Sequence, residues 1–443
     1  MKDLLYFRER ERLGRILYNK DTLIKRMGLL KSDHHIGFEP DYIGVSPVYC
    51  SKYSPSSNSR DVLALANEEG ILAIQKTSSR NSSILVKQVH RNAIFDVAWM
   101  ENEEKLTTVS GDQTAVLWDV KQSDICKIAT FVGHTGSVKT TVFRPNQNDI
   151  FATGARDGKI NIWDVRISHN CPASKPDNCS YDGPNSGKRK KNCNILPNSI
   201  ISMVFQDENT LISCGAVDGI IKAWDLRKNY AVYKRVPLPK CRLPEKGPGS
   251  QNGFTCLSLD PSNTRLFANC MDSSVYSFNV ATFDSKPVSV YRGHSIHSFY
   301  VKSCLSVDGK YLLSGSSDGR AFIWDTTIAQ KYPVAILEGH AGEVTSVTWN
   351  SSVEPEVRLD NVRFCIHTSL KYWLIMKCQL LNGQFIVFSI IMCYKNISQN
   401  DPRFDARLVK GIPYIESIVK INSRRLIIFS KENKKRAKKF TLP

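Results

Sequence analysis

The stretch Leu211–Arg227, LISCGAVDGIIKAWDLR, decides the architecture. Asp218-Gly219 is a tight-turn pair set between apolar, strand-forming residues, so the segment reads as a β-hairpin. Six residues after that Asp comes Trp224-Asp225. The segment FATGARDGKINIWDVR repeats the arrangement, with Asp157-Gly158, then Trp163-Asp164 at the same interval, and Arg166 where Arg227 stands. Two neighbouring units therefore end in Trp-Asp-x-Arg, and self-similarity at a fixed interval marks a repeat protein.

Outward from this pair the interval recurs. Asp112 precedes Trp118-Asp119 and Asp318 precedes Trp324-Asp325 by the same six residues, and Asp272 precedes Phe278-Asn279 in the same way. His90, His134 and His294 lie 22 to 24 residues before the corresponding Asp, and His340 opens a further unit. Successive Trp positions are 45 residues apart from Trp118 to Trp163, and Phe278 to Trp324 spans 46. That is the period of a four-stranded propeller blade. ALANEEGILAIQKT reads as a degenerate first blade, with Glu69 in the Asp position and Gln75 in the Trp position, and EGHAGEVTSVTWN begins a seventh. The expected fold is all-β: a seven-bladed β-propeller over residues 38–350, irregular in its last blade, with extra N- and C-terminal segments.

The pattern resembles the WD-repeat family, and the resemblance implies that His, turn Asp, a Ser or Thr four residues before it, and Trp form a hydrogen-bonded network. The expected network residues are His90, Asp112, Trp118, His134, Asp157, Asp218, His294, Asp318 and Trp324. Thr108, Thr153 and Ser314 hold the Ser/Thr position, whereas Cys214 and Ala268 depart from it. Ser, His and Asp together invite a catalytic-triad reading, but a triad needs one constellation in one place. Here the residues recur once per repeat. No phosphate loop, metal constellation or unique nucleophile is evident, so no catalytic residue, cofactor or metal is expected.

Composition sets the remaining bounds. The chain has 443 residues, 42% of them hydrophobic, which is the composition of a soluble globular protein. Charges interrupt MKDLLYFRERERLGR where a signal peptide needs an apolar run, and the 13 cysteines follow no C-x-x-C pairing. Cys171, Cys179 and Cys193 fit no common zinc spacing, so reduced thiols in a cytosolic or nuclear protein are expected. The formal charge of +18 gathers at the ends: residues 403–443 hold 12 Lys and Arg against 3 acidic residues, and residues 1–31 hold 9 against 4. Such ends read as solvated tails or as contacts to phosphates and acidic partners.

Residues 1–37 form an N-terminal segment with a helical stripe of Leu13, Ile16, Leu17, Leu23, Ile24 and Met27. Residues 168–198 read as a mobile surface loop rich in Ser, Asn, Pro and Gly. It carries Lys188, Arg189, Lys190 and Lys191, a basic cluster that reads either as a nuclear-import signal or as an ordinary solvated charge run; the accessible setting suits import, so nuclear localisation is expected. After Asn350 the repeat pattern fails, and residues 351–443 contain two of the 25 glycines, too few for a further blade with its turns. This basic segment reads either as a closing strand pair for the seventh blade or as chain foreign to the domain. Polar residues interrupt 372–394, which argues against a membrane span.

Particular stretches carry a closer resemblance: VLALANEEG, SGDQTAVLWDVK, FQDENTLISCGAVDGIIKAWDLRKNY, LFANCMDSSVYSFN, FYVKSCLS and SGSSDG. They resemble the denticleless family, WD-repeat substrate receptors of a cullin-4 RING ubiquitin ligase. The resemblance implies a non-catalytic subunit that docks the ligase's damage-specific DNA-binding adaptor through Trp163, Asp164 and Arg166 and through Trp224, Asp225 and Arg227. It further implies replication-licensing and cell-cycle substrates presented on the sliding clamp PCNA, with no small-molecule substrate and no membrane. Physically, a guanidinium fork at a strand end can grip a carboxylate or carbonyl pair in two parallel bonds. Lys121 and Thr327 stand at the matching places of other blades. The alternative is a WD-repeat scaffold of another nuclear complex, which keeps the propeller and lacks the adaptor.

Overall fold

Between Phe151 and Ala155 every residue is buried, although the strand Gln147–Ala155 has two faces. Phe151 and Ala155 pack with Phe131, Val138 and Trp163 on one side, while Ala152 packs with Ile200, Leu211 and Trp224 on the other. A strand covered on both faces reads as a continuous apolar run, which is what a sheet sandwiched between two others requires. In the computed structural model this arrangement repeats from sheet to sheet. The structure describes residues 46–349, apart from short stretches of connecting chain and the longer ones 168–177, 182–198, 229–237 and 245–251. Beyond 349 it describes the backbone of seven further strands between 363 and 441.

Six antiparallel sheets have four strands each, in sequence order, covering residues 48–88, 94–132, 138–181, 200–243, 254–292 and 303–337. They are blades 1 to 6. A seventh sheet has three strands, Val344–Trp349, Arg363–Thr368 and Trp373–Lys377. The expectation of seven blades is thus corrected to six complete blades, with an incomplete sheet in the seventh place. Its second and third strands come from chain that lacks the Asp-x5-Trp spacing, which is why the repeat pattern alone did not find them. A second correction falls in the loop expected at 168–198, where Asn178–Tyr181 is the outer strand of blade 3, paired from Lys159↔Tyr181 to Ile162↔Asn178. The remainder of that loop, its basic cluster and the helical stripe expected in 1–37 lie outside the described residues. Among the described residues no helix is long and apolar enough to cross a membrane.

The first strands of successive sheets neighbour one another in a ring, and the ring closes where the first sheet meets the seventh. There Ser346 Oγ accepts from the Ser51 backbone N–H at 2.9 Å and lies 2.9 Å from the Ser51 hydroxyl, and Thr345 Oγ1 donates to the Val48 carbonyl at 2.6 Å. Across the ring, Asp96 on the first strand of blade 2 gathers donors from three other blades. Lys52 and Lys302 each reach Oδ1 at 3.1 Å, while the Thr141 N–H and the Thr140 hydroxyl reach Oδ2 at 3.1 and 3.2 Å. Burial opposes the charge, yet Lys302 and Lys52 hold the Asp96 carboxyl well below the usual carboxylate range.

One irregularity recurs. In blades 1, 2, 4 and 5 and in the seventh sheet, the register between first and second strands slips just after the first paired residue, and in blade 3 the slip lies at the equivalent place between Val138 and Thr140. Each slip leaves one extra residue on the inner strand, such as Tyr49, Phe95 or Lys139, unpaired in the ladder as in a β-bulge.

The division of the chain leaves residues 392–443 as a second unit. It holds a three-stranded antiparallel sheet of Val419–Asn422, Arg425–Ile428 and Phe440–Thr441.

Candidate partner-docking site

The third strand of blade 3, Lys159–Asp164, places Trp163 and Asp164 on opposite faces because successive side chains alternate. Trp163 is fully buried, and its Nε1–H donates to Thr153 Oγ1 at 2.7 Å. Asp164 ends the strand. Its Oδ1 accepts the Arg166 backbone N–H at 3.0 Å, which closes a local turn and folds the arginine back, so that Nε meets Oδ1 at 2.9 Å and Nη2 meets Oδ2 at 2.5 Å. Blade 4 repeats this, with Arg227 N, Nε and Nη2 at 3.1, 2.9 and 2.9 Å from Asp225. The two guanidinium groups therefore sit alike on two adjacent blades, with side chains 60% and 69% exposed.

This geometry refines the expected contact. The Nε/Nη2 edge is engaged by the preceding Asp, so a partner that leaves this pair intact meets the Nη1 side, which in Arg166 lies 3.7 Å from the Asp149 carboxylate. The Asp residue acts as a splint. The Arg227 hydrogen bond, opposed by burial, holds the Asp225 carboxyl down at about 2, and Asp164 pushes the already basic Arg166 further up. The same turn follows the third strand in blades 5 and 6, where Asn279 Oδ1 accepts from Ala281 N at 3.0 Å and Asp325 Oδ1 accepts from Thr327 N at 2.8 Å. Blade 2 carries Lys121, 3.7 Å from Asp119. Arginine occupies the place only in blades 3 and 4. Beside Arg227 a recess of about 510 Å³ opens between blades 3, 4 and 5, bordered by Asn146, Glu208, Lys240 and Asn263.

At the other end of these strands lie the turn aspartates. In blade 2, His90 Nδ1 is 2.8 Å from Asp112, its Nε2 is 2.7 Å from Thr108 Oγ1, and Trp118 Nε1 donates to that hydroxyl at 2.9 Å. Since a carboxylate only accepts, Nδ1 donates, and the threonine hydroxyl can donate to Nε2 while accepting from Trp. Blade 3 has the same chain through Trp163, Thr153, His134 and Asp157, at 2.7, 2.8 and 3.1 Å. Burial opposes the Asp112 charge, but the hydrogen bonds from His90 and Thr114 hold its carboxyl down at about 2.

The other blades depart from this chain. In blade 6, His294 Nε2 lies 3.0 Å from Asn269 Oδ1 of blade 5, Trp324 Nε1 donates to the Arg292 carbonyl at 3.2 Å, and Asp318 pairs with Arg320 at 2.9 and 2.5 Å. The expected assignment of His294, Asp318 and Trp324 to one network is thereby corrected. Arg320, two residues from the Asp, supplies a fixed charge that pre-empts the imidazole, and burial pushes the His294 pKa down to about 4. Blade 4 has no His, and Lys222, four residues after Asp218, takes its place at 2.7 Å. In blade 5 Tyr276, four residues after Asp272, donates to it at 2.5 Å. Trp224 Nε1 donates to Ser213 at 2.9 Å instead of to Cys214. Pairing runs Ser213↔Lys222 here but Thr153↔Asn161 in blade 3, so the blade 4 turn is one residue longer and moves Ser213 into the network position.

A direct comparison follows from this difference. Asp157→Ala is expected to lower stability by about 1–3 kcal/mol, since a buried histidine, the Thr135 N–H and the Lys159 N–H lose their acceptor. Asp318→Ala is expected to cost less than Asp157→Ala, because it removes a partly exposed local ion pair and the acceptor of the Arg320 N–H but leaves no buried histidine unpaired. Denaturant midpoints of the two variants measure the contrast, and equal losses would contradict it.

Three segments of the chain, 81–119, 125–164 and 285–325, match the family model for the WD domain, G-beta repeat. Lethal(2)denticleless of Drosophila melanogaster is 43% identical over 356 residues, covering 75% of this chain and 46% of the relative. The denticleless protein homologs of Danio rerio and Homo sapiens are 40% and 39% identical, covering 75% and 72% of this chain and 53% and 46% of theirs. The chain is a WD-repeat propeller related to the denticleless proteins. It spans about half the length of the curated relatives it matches.

The sequence reading singled out Trp163, Asp164, Arg166, Trp224, Asp225 and Arg227; in the structure both tryptophans are buried and each arginine pairs with the Asp two residues before it. It missed Lys222, Tyr276 and Ser213. A polar residue four places after each turn Asp that lacks a His was the available signal for the first two.

Proposed function

We propose that this chain is the substrate-recognition subunit of a cullin-4 RING ubiquitin ligase, itself non-catalytic. It docks the damage-specific DNA-binding adaptor through the Trp-Asp-x-Arg ends of blades 3 and 4. It presents cell-cycle and replication-licensing proteins, linked to PCNA, for ubiquitin-dependent degradation. The observation that carries this reading is the matched, Asp-splinted pair of arginines on adjacent blades, in a chain similar to the denticleless proteins. Two fixed forks at one spacing suit a single rigid partner that meets both. Affinity purification of the intact chain from nuclear extract tests the proposal: recovery of the adaptor together with the cullin is expected. Recovery of neither would leave a scaffold of another nuclear complex as the better reading.

Nuclear localisation is part of the same proposal and rests on Lys188, Arg189, Lys190 and Lys191. Changing all four to alanine is expected to move the protein to the cytoplasm, as fluorescence imaging of a tagged chain would report, while its melting temperature stays unchanged. Undiminished nuclear accumulation would return the cluster to a plain run of solvated charge.

A further inference from the structure

Blades 3 and 4 meet through an apolar interface, in which Ala152 and Ile160 of blade 3 share one cluster with Ile200, Leu211 and Trp224 of blade 4. Burial of apolar surface is non-directional, so it sets the tilt of one blade against the next only through the shapes of the packed side chains. At the end of this interface that carries Arg166 and Arg227, Arg144 adds a directional link. It is the last residue of the first strand of blade 3, Val138–Arg144, and is half-buried. Its Nε–H donates to the Glu208 carbonyl at 2.5 Å and its Nη2 donates to Asn209 Oδ1 at 3.1 Å, both in the turn between the first two strands of blade 4. Its Nη1 donates to Gln147 Oε1 at 3.0 Å within its own hairpin. The planar guanidinium thus ties one turn to the other through all three nitrogens, and a fork held in this way resists both sliding and rotation.

Each of the two turns that Arg144 joins carries one of the docking ends. In blade 4 the Asn209 carbonyl accepts the N–H of Leu226, the residue before Arg227, at 2.8 Å. In blade 3 the Asp149 carbonyl accepts the N–H of Val165, the residue before Arg166, at 2.8 Å, and Asp149 stands two residues after Gln147. The blade 4 turn is itself braced, since Asp207 Oδ1 accepts the N–H groups of Asn209 and Thr210 at 2.7 and 2.8 Å. A short path therefore runs from one arginine to the other through Leu226, Asn209, Arg144, Gln147, Asp149 and Val165. Other neighbouring blades are linked on this face as well. Asn148 of blade 3 donates to the Glu101 carbonyl of blade 2 at 2.7 Å, Gln206 of blade 4 to the Val280 carbonyl of blade 5 at 2.8 Å, and Arg265 of blade 5 to the Thr326 carbonyl of blade 6 at 3.3 Å. Of these links, that of Arg144 joins the two blades that carry the arginines.

We propose that Arg144 is a positioning residue for partner docking: it sets the separation of the Arg166 and Arg227 forks, while its own three nitrogens stay engaged within the ring. The role rests on the reading of those two arginines as adaptor contacts. A rigid partner that meets both forks binds best when their spacing is fixed beforehand, because little ordering is then left for the moment of binding. Without the link the two strand ends move independently, so each arginine still makes its own contact but the pair no longer binds as one.

The test measures binding of the full chain to the purified ligase adaptor and, separately, amide hydrogen exchange in the free chain. Arg144→Met keeps the stem and removes the fork. It is expected to weaken adaptor binding about fivefold or more, to leave the melting temperature near that of the wild type, and to speed exchange of the Leu226 N–H. In an Arg166→Ala background, where the spacing no longer counts, the same change is expected to weaken binding less than about twofold. Asn209→Ala, which removes the acceptor on the blade 4 side, is expected to reproduce the loss and keeps the test open should Arg144→Met not fold. Arg265→Met, which cuts the link between blades 5 and 6, is expected to leave binding within about twofold of the wild type. Undiminished binding by the Arg144 and Asn209 variants, an equal loss with and without Arg166, or unchanged Leu226 exchange would overturn the positioning role while the adaptor reading stands. Full recovery by Arg144→Lys would assign the effect to charge, and an equal loss in Arg265→Met would assign it to a general loosening of the ring; either overturns the role. A wild-type chain that binds no adaptor overturns the docking reading and the positioning role with it, so the wild type alone tells the two failures apart.

Discussion

Replacing Asp96 with alanine is expected to destabilise the propeller by about 3–5 kcal/mol, the usual cost of removing one partner from a buried ion pair. The carboxylate joins blade 2 to Lys52 of blade 1, Thr140 and Thr141 of blade 3, and Lys302 of blade 6. Without it, the Lys302 ammonium retains the Phe95 carbonyl at 2.9 Å but loses its countercharge. Asp96→Asn keeps the shape and removes the charge, which separates the electrostatic part of the loss. Because the folded carboxyl titrates below its unfolded value, its contribution is complete above about pH 4 and disappears as pH falls through the lower folded value. The stability gap between wild type and Asp96→Asn is therefore expected to narrow below about pH 4. Denaturant titrations at pH 7 and pH 3 measure both effects; a loss under 1 kcal/mol at neutral pH, or a gap independent of pH, would refute this role.

The second large effect concerns partner binding. Arg166→Ala and Arg227→Ala are each expected to weaken adaptor binding about tenfold or more, and together about a hundredfold, if each fork is an interface anchor. Lysine is expected to rescue poorly, since an ammonium cannot hold the preceding Asp with one planar edge and present another outward. The melting temperature is expected to stay near wild type, because both side chains are mostly exposed and their ion pairs are local. A double variant that recovers adaptor and cullin at wild-type levels would remove these residues from the interface.

The repeat was legible because its spacing is set by strand and turn lengths, which the sequence displays directly. Asp112, Asp157 and Asp218 all fall in the turns where the six-residue interval puts them. The identity of their partners was less legible, since a carboxylate accepts from any nearby donor. His134, Lys222, Tyr276 and Arg320 each serve one Asp, and only the first follows the repeat. The seventh blade is incomplete for a related reason: strands 363–368 and 373–377 pair with Val344–Trp349 without the turn signature, and among the described residues no fourth strand joins them. Asp96 was invisible for a third reason. Its partners lie up to 206 residues away, a separation that no local pattern encodes. The arginines were found by their address, but not the Asp splint that engages one edge of each fork.

The recurring register slip separates two kinds of selection on the inner strands. Residues on either side of it, such as Ile94 and Asp96, are bound by ladder pairing and by contacts with neighbouring blades, so most replacements there disturb the fold. The slipped residue lies outside the register of its own ladder, although Thr255 and Thr345 use their hydroxyls to hold a neighbouring blade. Tyr49, Phe95, Lys139, Ile201, Thr255 and Thr345 occupy this place in six sheets, and they already range from aromatic to cationic, aliphatic and hydroxylic. Where the slipped side chain holds no neighbouring blade, one face of the molecule can thus acquire a new binding preference by single substitutions at little cost to the ring.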